Sequence, residues 1–211
     1  MELNIFNTDK TPSRRDEIVA AARELYETRG LEETTIKDIS DKLGVARSLF
    51  YHYFKNKDAV TDAVIDDYVN DFLQMVYYWN EDRTQGDVLG ALESCIQMLR
   101  RGIFDKDQFR NDLATNENAR LYLMFLQRSA EGLAKYVTET TVADYERLHD
   151  IRINHVYETF YVLIIGMIGF MRRYPDAPDE LLKDLIAQTL RLDMDEDYIR
   201  QKEEADSGLK P

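Results

Sequence analysis

Six side chains close to position 50 are suited to hydrogen bonding or packing against nucleic acid. Arg47 carries paired donors that match the two acceptors on a guanine edge. Serine and tyrosine hydroxyls suit phosphates or base edges, and leucine suits the methyl group of thymine. The candidates are Arg47, Ser48, Leu49, Tyr51, His52 and Tyr53. They cannot all face one way on a helix, and Tyr53 is as well suited to packing as to binding.

Three further residues could hold a sugar-phosphate backbone. Lys57 stands beside a predicted helix start, where its ammonium group combines with free backbone N–H groups. Thr35 begins another predicted helix and offers the same kind of site. Lys37 follows in the first turn of that helix and could point toward the groove edge.

Local signals predict the helices that position these side chains. Ser13 with Asp16, and Thr35 with Asp38, form helix starts of the capping-box kind, with Asp in place of Glu. A glycine at position 30 ends the first helix. Asn56 can cap a further helix that begins one residue later.

Gly44 fits a tight turn between two short helices, because glycine adopts the left-handed conformation without steric cost. The second of these helices is predicted over 46–53. Two short helices cannot form a core alone, so a third helix over 14–29 must pack on them. The expected apolar contacts are Ile36, Ile39, Leu43, Val45, Phe50 and Phe54. This is the spacing of a helix-turn-helix, whose second helix enters the major groove of DNA.

The same stretch resembles the DNA-binding domain of the TetR (tetracycline repressor-like) family. The resemblance covers about residues 13–60 and rests on TTIKDIS followed by LGVARSLFYHYFKNKDAV. Its most specific parts are Leu43-Gly44-Val45, the aromatic block 50–54 and Lys55-Asn56-Lys57. The resemblance implies DNA contacts by Thr35, Lys37, Arg47, Ser48, Tyr51, His52 and Lys57. Leu49 departs from the family, which often has a smaller residue there.

The charge is distributed unevenly along the chain. The formal net charge is -13, but residues 1–60 hold 10 Lys and Arg against 11 Asp and Glu. The remaining residues hold 17 against 29, so the acidity belongs to the later part. A near-neutral first part can still present a local basic face to phosphates. The acidic remainder should weaken non-specific DNA affinity through long-range repulsion.

The scarcity of glycine and proline, 9 and 4 of 211 residues, favours an all-α fold. The sequence predicts a helix-turn-helix domain over 1–58, a helical effector-binding and dimerisation domain over 59–205, and a disordered tail over 206–211. Within the second domain, helices are predicted over 121–137, over 144–174 and from residue 179.

Several other classes of protein are disfavoured. There is no Gly-rich phosphate loop, nucleophile elbow or metal signature, so we expect no enzyme, cofactor or bound metal. The single cysteine, Cys95, lies in an apolar helical pattern and is interpreted as a buried hydrophobe rather than a redox sensor. No apolar signal core or membrane-length stretch is present, which predicts a cytoplasmic protein without a membrane partner.

The resemblance also implies a ligand cavity in the C-terminal helices and a four-helix dimer interface built from the last two long helices. Residues 156–171 are apolar nearly all round, as expected for a helix buried on several sides. The predicted dimer contacts are Phe160, Ile164, Ile168, Leu182, Leu185 and Ile186. Burial of these residues wholly inside one chain is the alternative.

The candidate pocket residues are scattered aromatic and methionine side chains: Phe72, Met75, Trp79, Met98, Tyr122, Phe125 and Tyr161. Such side chains at helical spacing serve as core more often than as pocket lining. The sequence thus predicts a homodimeric regulator, a repressor released from a palindromic double-stranded DNA operator by an unknown small-molecule effector. A protein-interaction module that has lost DNA binding is the alternative.

Overall fold

The structure, a computed structural model, describes residues 12–84, 87–104, 119–147 and 150–192. All regular secondary structure in these ranges is helical, which confirms the predicted all-α fold. The helices are α1 (Arg14–Arg29), α2 (Ile36–Lys42), α3 (Arg47–Tyr53), α4 (Lys57–Asp82), α5 (Val88–Phe104), α6 (Ala119–Glu139), α7 (Thr141–Glu146), α8 (Val156–Arg173) and α9 (Asp179–Leu190). None of the helices within the described residues is long and apolar enough to cross a membrane.

The chain forms two compact units. The first comprises Met1–Met75 and Phe104–Gly132, and the second comprises Val76–Ile103 and Leu133–Pro211. These units group helices by contact and not by function, so the predicted functional division after residue 58 stays a prediction. The predicted tail over 206–211 lies outside the described residues.

In the first unit, side-chain caps fix where α1 and α2 begin. Both predicted capping boxes are present, Ser13 with Asp16 and Thr35 with Asp38. Asn56 Oδ1 accepts a hydrogen bond from the backbone N–H of Ala59 at 2.9 Å, which caps α4 as expected. Because these caps satisfy backbone donors that the helix cannot, they set the start of each helix to within a residue.

Part of the core of this unit lies between α1, α2 and α3. The buried side chains there include Ile18, Ala22, Leu25, Tyr26, Ile39 and Phe50. Gly44 has φ +66°, so the turn between α2 and α3 uses the left-handed conformation that glycine permits. Ser40 is also buried and donates its hydroxyl hydrogen bond to the Ile36 carbonyl. Its small side chain leaves room for the neighbouring helix.

Polar contacts join α1 to the first half of α4. The Tyr26 hydroxyl lies 2.9 Å from Thr61 Oγ1 in the buried core. Burial raises the pKa of Tyr26 to about 12, so its hydroxyl is neutral at physiological pH. Arg23 of α1 forms ion pairs with Asp67 at 2.7 Å and Asp71 at 2.6 Å on the next turns of α4. The beginning of α4 is therefore fixed to the helix-turn-helix.

In the second unit, the helix predicted over 144–174 is interrupted, so that prediction is wrong. α7 ends at Glu146 and α8 begins at Val156. Between them, Ile151 and Ile153 are half-buried while Arg152 and Asn154 are exposed, a two-residue alternation that fits extended backbone. His155, immediately before α8, has φ +53° and turns the chain sharply.

The predicted break before α9 is confirmed, and a half-buried arginine organises it. Arg100 of α5 donates from Nε to Asp179 Oδ1 at 2.7 Å and from Nη1 to the Pro175 carbonyl at 2.8 Å. Its Nη2 donates to the Ala177 carbonyl. One side chain thus satisfies the carbonyls of a proline-containing turn that cannot continue a helix.

The capping box of α2 predicts a pH dependence. The Thr35 hydroxyl and backbone N–H donate to the Asp38 carboxylate and hold its pKa below the usual range. A lowered folded-state pKa contributes stability above the unfolded pKa, and that contribution is lost as the pH falls through the folded value. We expect Asp38→Asn to lower the thermal midpoint at pH 7, with a smaller difference from the native chain at pH 3. Equal differences at both pH values, by circular dichroism, would contradict this.

Candidate nucleic-acid interface and ligand cavity

Four polar side chains share the exposed side of α3. Arg47, Ser48, Tyr51 and His52 are exposed, whereas Phe50 is 1% exposed and anchors the opposite side. Positions i, i+1, i+4 and i+5 of a helix fall on one side. We call these four residues the α3 face. Its guanidinium, hydroxyl and imidazole groups have the chemistry to read base edges and bind phosphates.

The α2 candidates lie beside this face. Lys37 Nζ lies 2.7 Å from Asp41 Oδ2, and this hydrogen bond raises the pKa of Lys37 while the nearby charge of Arg47 opposes the rise. Lys37 is thus within electrostatic reach of the α3 face. Thr35 is exposed, but its hydroxyl donates to Asp38 Oδ2 at 2.5 Å and accepts the Asp38 N–H at 3.2 Å. Its hydroxyl therefore has an intramolecular role in starting α2.

Lys57 also has a partner within the chain. Its Nζ donates to the Leu31 carbonyl at 2.5 Å, so it links the start of α4 to the turn after α1. An ammonium group has three donors, and this bond is therefore compatible with a phosphate contact. Tyr53, left open between packing and binding, is 37% exposed and meets the His52 ring edge-on at 4.9 Å between centroids.

A cavity of about 200 Å³ lies in the second unit. Trp79 and Met98, two of the seven candidate pocket residues, line it. The other five predicted residues do not line this cavity: Phe72, Met75, Tyr122, Phe125 and Tyr161. Phe72 and Phe125 instead pack together in the first unit at 6.5 Å between ring centroids. Their assignment to a ligand pocket stays a prediction, because aromatic character does not distinguish a core position from a cavity wall.

Several predicted dimer residues face the interior of the chain. Phe160, Ile164 and Ile186 line the cavity. Ile168 and Leu182 are buried at 3% and 0% exposure, and Leu185 is half-buried. Burial within one chain, the alternative left open by the sequence, thus describes most of these positions. Their role as dimer contacts stays a prediction.

Sequence reasoning missed the four charged residues of the cavity wall, which are Arg83, Asp87, Asp144 and Arg152. Arg83 Nη2 donates to Asp144 Oδ2 at 2.7 Å, and only 8% of the Arg83 side chain is exposed. Arg83 Nε also donates to Asn80 Oδ1 at 2.9 Å. Sixty-one residues separate the two charges, so no local pattern pairs them. The only signal in the sequence that Arg83 could reach the cavity was its position one helical turn after Trp79, a candidate pocket residue.

Cys95 is half-buried rather than fully buried as predicted, and it contributes its side chain to the same wall. Burial raises the pKa of its thiol to about 12, so the group stays protonated near neutral pH. This agrees with the interpretation of Cys95 as a small hydrophobe, because thiolate is the reactive form of cysteine. The cavity wall therefore gains no charge from it.

Comparison with known proteins identifies the first part of the chain. The sequence profile described as "Bacterial regulatory proteins, tetR family" matches residues 18–64. The HTH-type transcriptional repressor KstR2 of Mycolicibacterium smegmatis is 38% identical over 58 residues, which are 28% of this chain and 28% of that protein. The chain is thus aligned with less than a third of that relative's length, and the alignment is confined to a 58-residue segment.

Two solved structures resemble the chain over most of its length. The TetR family repressor AlkX from Dietzia sp. has a TM-score of 0.60 at 20% identity, with 90% of this chain and 96% of that chain covered. The fatty acid degradation regulator FadR from Bacillus halodurans has a TM-score of 0.57 at 17% identity, with 86% and 96% covered. At these identities the likeness establishes the fold alone. The profile match relates residues 18–64, which hold the helix-turn-helix, to the corresponding segment of the tetR family of bacterial regulatory proteins.

Proposed function

We propose that the protein is a DNA-binding transcriptional regulator, a repressor that leaves a palindromic operator when a small-molecule effector binds. The observation that carries the proposal is the α3 face, four polar side chains presented by a helix whose opposite side is anchored by Phe50. The family relationship of residues 18–64 supports it.

On the DNA side, α3 enters the major groove and Arg47 pairs with a guanine edge. Ser48, Tyr51 and His52 contact phosphates or neighbouring bases. Thr35, Lys37 and Lys57 approach the backbone on either side. Because the chain carries a net charge of -13, these local contacts have to supply the affinity against an unfavourable overall field.

On the effector side, the cavity in the second unit receives the ligand. A ligand can shift the equilibrium between DNA-binding and released shapes only through different affinities for the two shapes. The cavity wall supports such a difference, because it combines segments from α4 to α9 whose relative positions define its volume. Any change in their packing changes the fit of the ligand.

We further propose that the regulator is a homodimer and acts in the cytoplasm, where its DNA is found. The middle of the outward side of α8, between exposed Glu158 and Arg173, is apolar or small, with Val162 at 68% exposure and exposed Gly166 and Gly169. Leu181 of α9 is 42% exposed. Pairing this surface across a two-fold axis would bury it and place two α3 faces on a palindromic site.

A mobility-shift assay with purified full-length protein tests the proposal. We expect sequence-selective binding to DNA from upstream of its own gene, two chains per site, with affinity that falls steeply as salt rises. A scrambled fragment of equal length and base composition is the control. Equal affinity for both fragments, or no binding at low salt, would refute a role as an operator-binding regulator.

A further inference from the structure

The dimensions of the cavity limit the shape of its occupant. It is lined along α5 from Val88 to Leu99 and along α8 from Val156 to Met167. Eleven residues of α-helix rise about 16 Å, so the lined path has that length. The cavity, with a volume of about 200 Å³, is therefore elongated along the two helices. Such a space fits an extended chain better than a fused ring system.

Most of this path is aliphatic. Leu92, Leu99, Leu133, Leu163 and Met167 form its walls. Side chains of this kind offer no hydrogen bond, so a polar group placed against them would lose its water without compensation. The body of the ligand must therefore be hydrocarbon.

One end of the cavity is different. Arg83, at the end of α4, lines it together with Asp87, which lies immediately before α5, Asp144 of α7 and Arg152 of the segment before α8. These four side chains carry two positive and two negative charges, so together they have no net charge. The Arg83–Asp144 ion pair is 2.7 Å long. Asp87 Oδ1 accepts the Gly90 N–H at 2.8 Å and so caps its own helix. The far end of the same path, at Val76 and Leu99, carries no charge on the residues that line it.

The ion pair decides which head group this end accepts. A carboxylate ligand would compete with Asp144 for Arg83, and an ammonium ligand would compete with Arg83 for Asp144. Arg147 Nη1 also lies 3.5 Å from Asp144 Oδ1, but the Arg147 side chain is 70% exposed. Either ion would therefore still weaken the contact of a poorly solvated charge with its nearest partner, which is unfavourable. A hydroxyl or carbonyl leaves the pair intact. Among the described residues, Asn80 and Asp144 take two of the five N–H donors of Arg83, so others remain for a ligand oxygen.

We infer that this cavity binds an elongated, uncharged amphiphile, with an alkyl body along α5 and α8 and a hydroxyl or carbonyl head group beside Arg83 and Asp144. The inference rests on the proposed function, because it names the chemical class of the effector. It also makes Asp144 the residue that excludes anions from the cavity.

Trp79 provides a direct readout, because it is the single tryptophan of the chain and lines the cavity. Purified full-length protein is titrated with decan-1-ol below its solubility limit, and with decanoate and decylammonium below their micelle concentrations, while Trp79 fluorescence is recorded. The three probes share one alkyl chain and differ in head-group charge. We expect decan-1-ol to bind at least tenfold more tightly than either ion. Equal or tighter binding of an ion, or no fluorescence change with any probe, overturns the inference.

A charge change at the ion pair tests its role. Asp144→Asn leaves Arg83 without a carboxylate, so decanoate should gain at least tenfold relative to decan-1-ol. Glu146→Gln removes a carboxylate from an exposed position of the same helix and should keep the native order. If Asp144→Asn has native helix content by circular dichroism and still ranks the three probes in the same order of affinity as the native chain, the inference is overturned. The comparison of probes on the native chain stands even if this variant does not fold.

Failure of this inference is distinguishable from failure of the proposed function, because the two have separate readouts. Operator binding without binding of decan-1-ol refutes the ligand class and leaves the regulator intact. Binding of decan-1-ol with no effect on operator affinity supports the ligand class and refutes the effector role of the cavity.

Discussion

Phe50→Ala is expected to destabilise the first unit by about 3–5 kcal/mol, the cost of removing a fully buried phenylalanine from a close-packed core. Phe50 is 1% exposed, and its ring lies 5.8 Å from that of Phe54 between centroids. Total stabilities of about 5–15 kcal/mol are typical, so the loss is large enough to abolish operator binding at 37 °C. Chemical denaturation followed by circular dichroism measures it.

Tyr51→Ala is the matched control for this prediction. Tyr51 adjoins Phe50 on the same helix but is 55% exposed. Its removal should change the unfolding free energy by no more than about 0.5 kcal/mol, as for most surface positions. Similar losses for the two variants would mean that Phe50 is not the anchor of α3.

The second large effect is expected from Arg47→Ala, which should weaken operator binding by about 1–3 kcal/mol per half-site, and by twice that in a dimer. Arg47 is exposed at the start of α3, so its loss leaves the fold intact. Removal of a base contact should also relax the preference at one operator position. Competition mobility-shift assays with single-base operator variants measure both effects.

Lys135→Ala controls for the loss of one positive charge. Lys135 is an exposed residue of α6 outside the α3 face. It should change operator affinity far less than Arg47→Ala at the same salt concentration. If the two variants lose the same operator affinity, the α3 face contributes only non-specific electrostatic attraction. Unchanged binding in both variants would favour the interaction module that has lost its DNA contacts.

The helix-turn-helix could be predicted because its determinants are local. Thr35 and Asp38 are three residues apart and Gly44 marks its own turn, so sequence spacing specifies the geometry almost completely. The outward direction of Arg47, Ser48, Tyr51 and His52 follows from the inward direction of Phe50 on the same helix. Lys57 was the exception, since its bond to the Leu31 carbonyl spans 26 residues.

The cavity could not be predicted in the same way, because its walls come from distant segments. A hydropathy pattern identifies α8 as buried but does not distinguish Phe160, on the cavity wall, from Val162, exposed two residues later. The break between α7 and α8 adds Ile151 and Ile153 to the lining. The continuous helix predicted over 144–174 gave no reason to expect them there. The Arg83–Asp144 pair could be predicted only once the positions of the end of α4 and of α7 were known.

The bonds between α1 and α4 have a mechanical consequence. Tyr26 meets Thr61 in the core, Arg23 reaches Asp67 and Asp71, and Lys57 holds the Leu31 carbonyl. Bending α4 away from α1 would break these contacts along four helical turns together. The first half of α4 and the helix-turn-helix are therefore expected to move as one rigid body. A displacement of α4 would reorient the whole α3 face and leave its internal geometry unchanged.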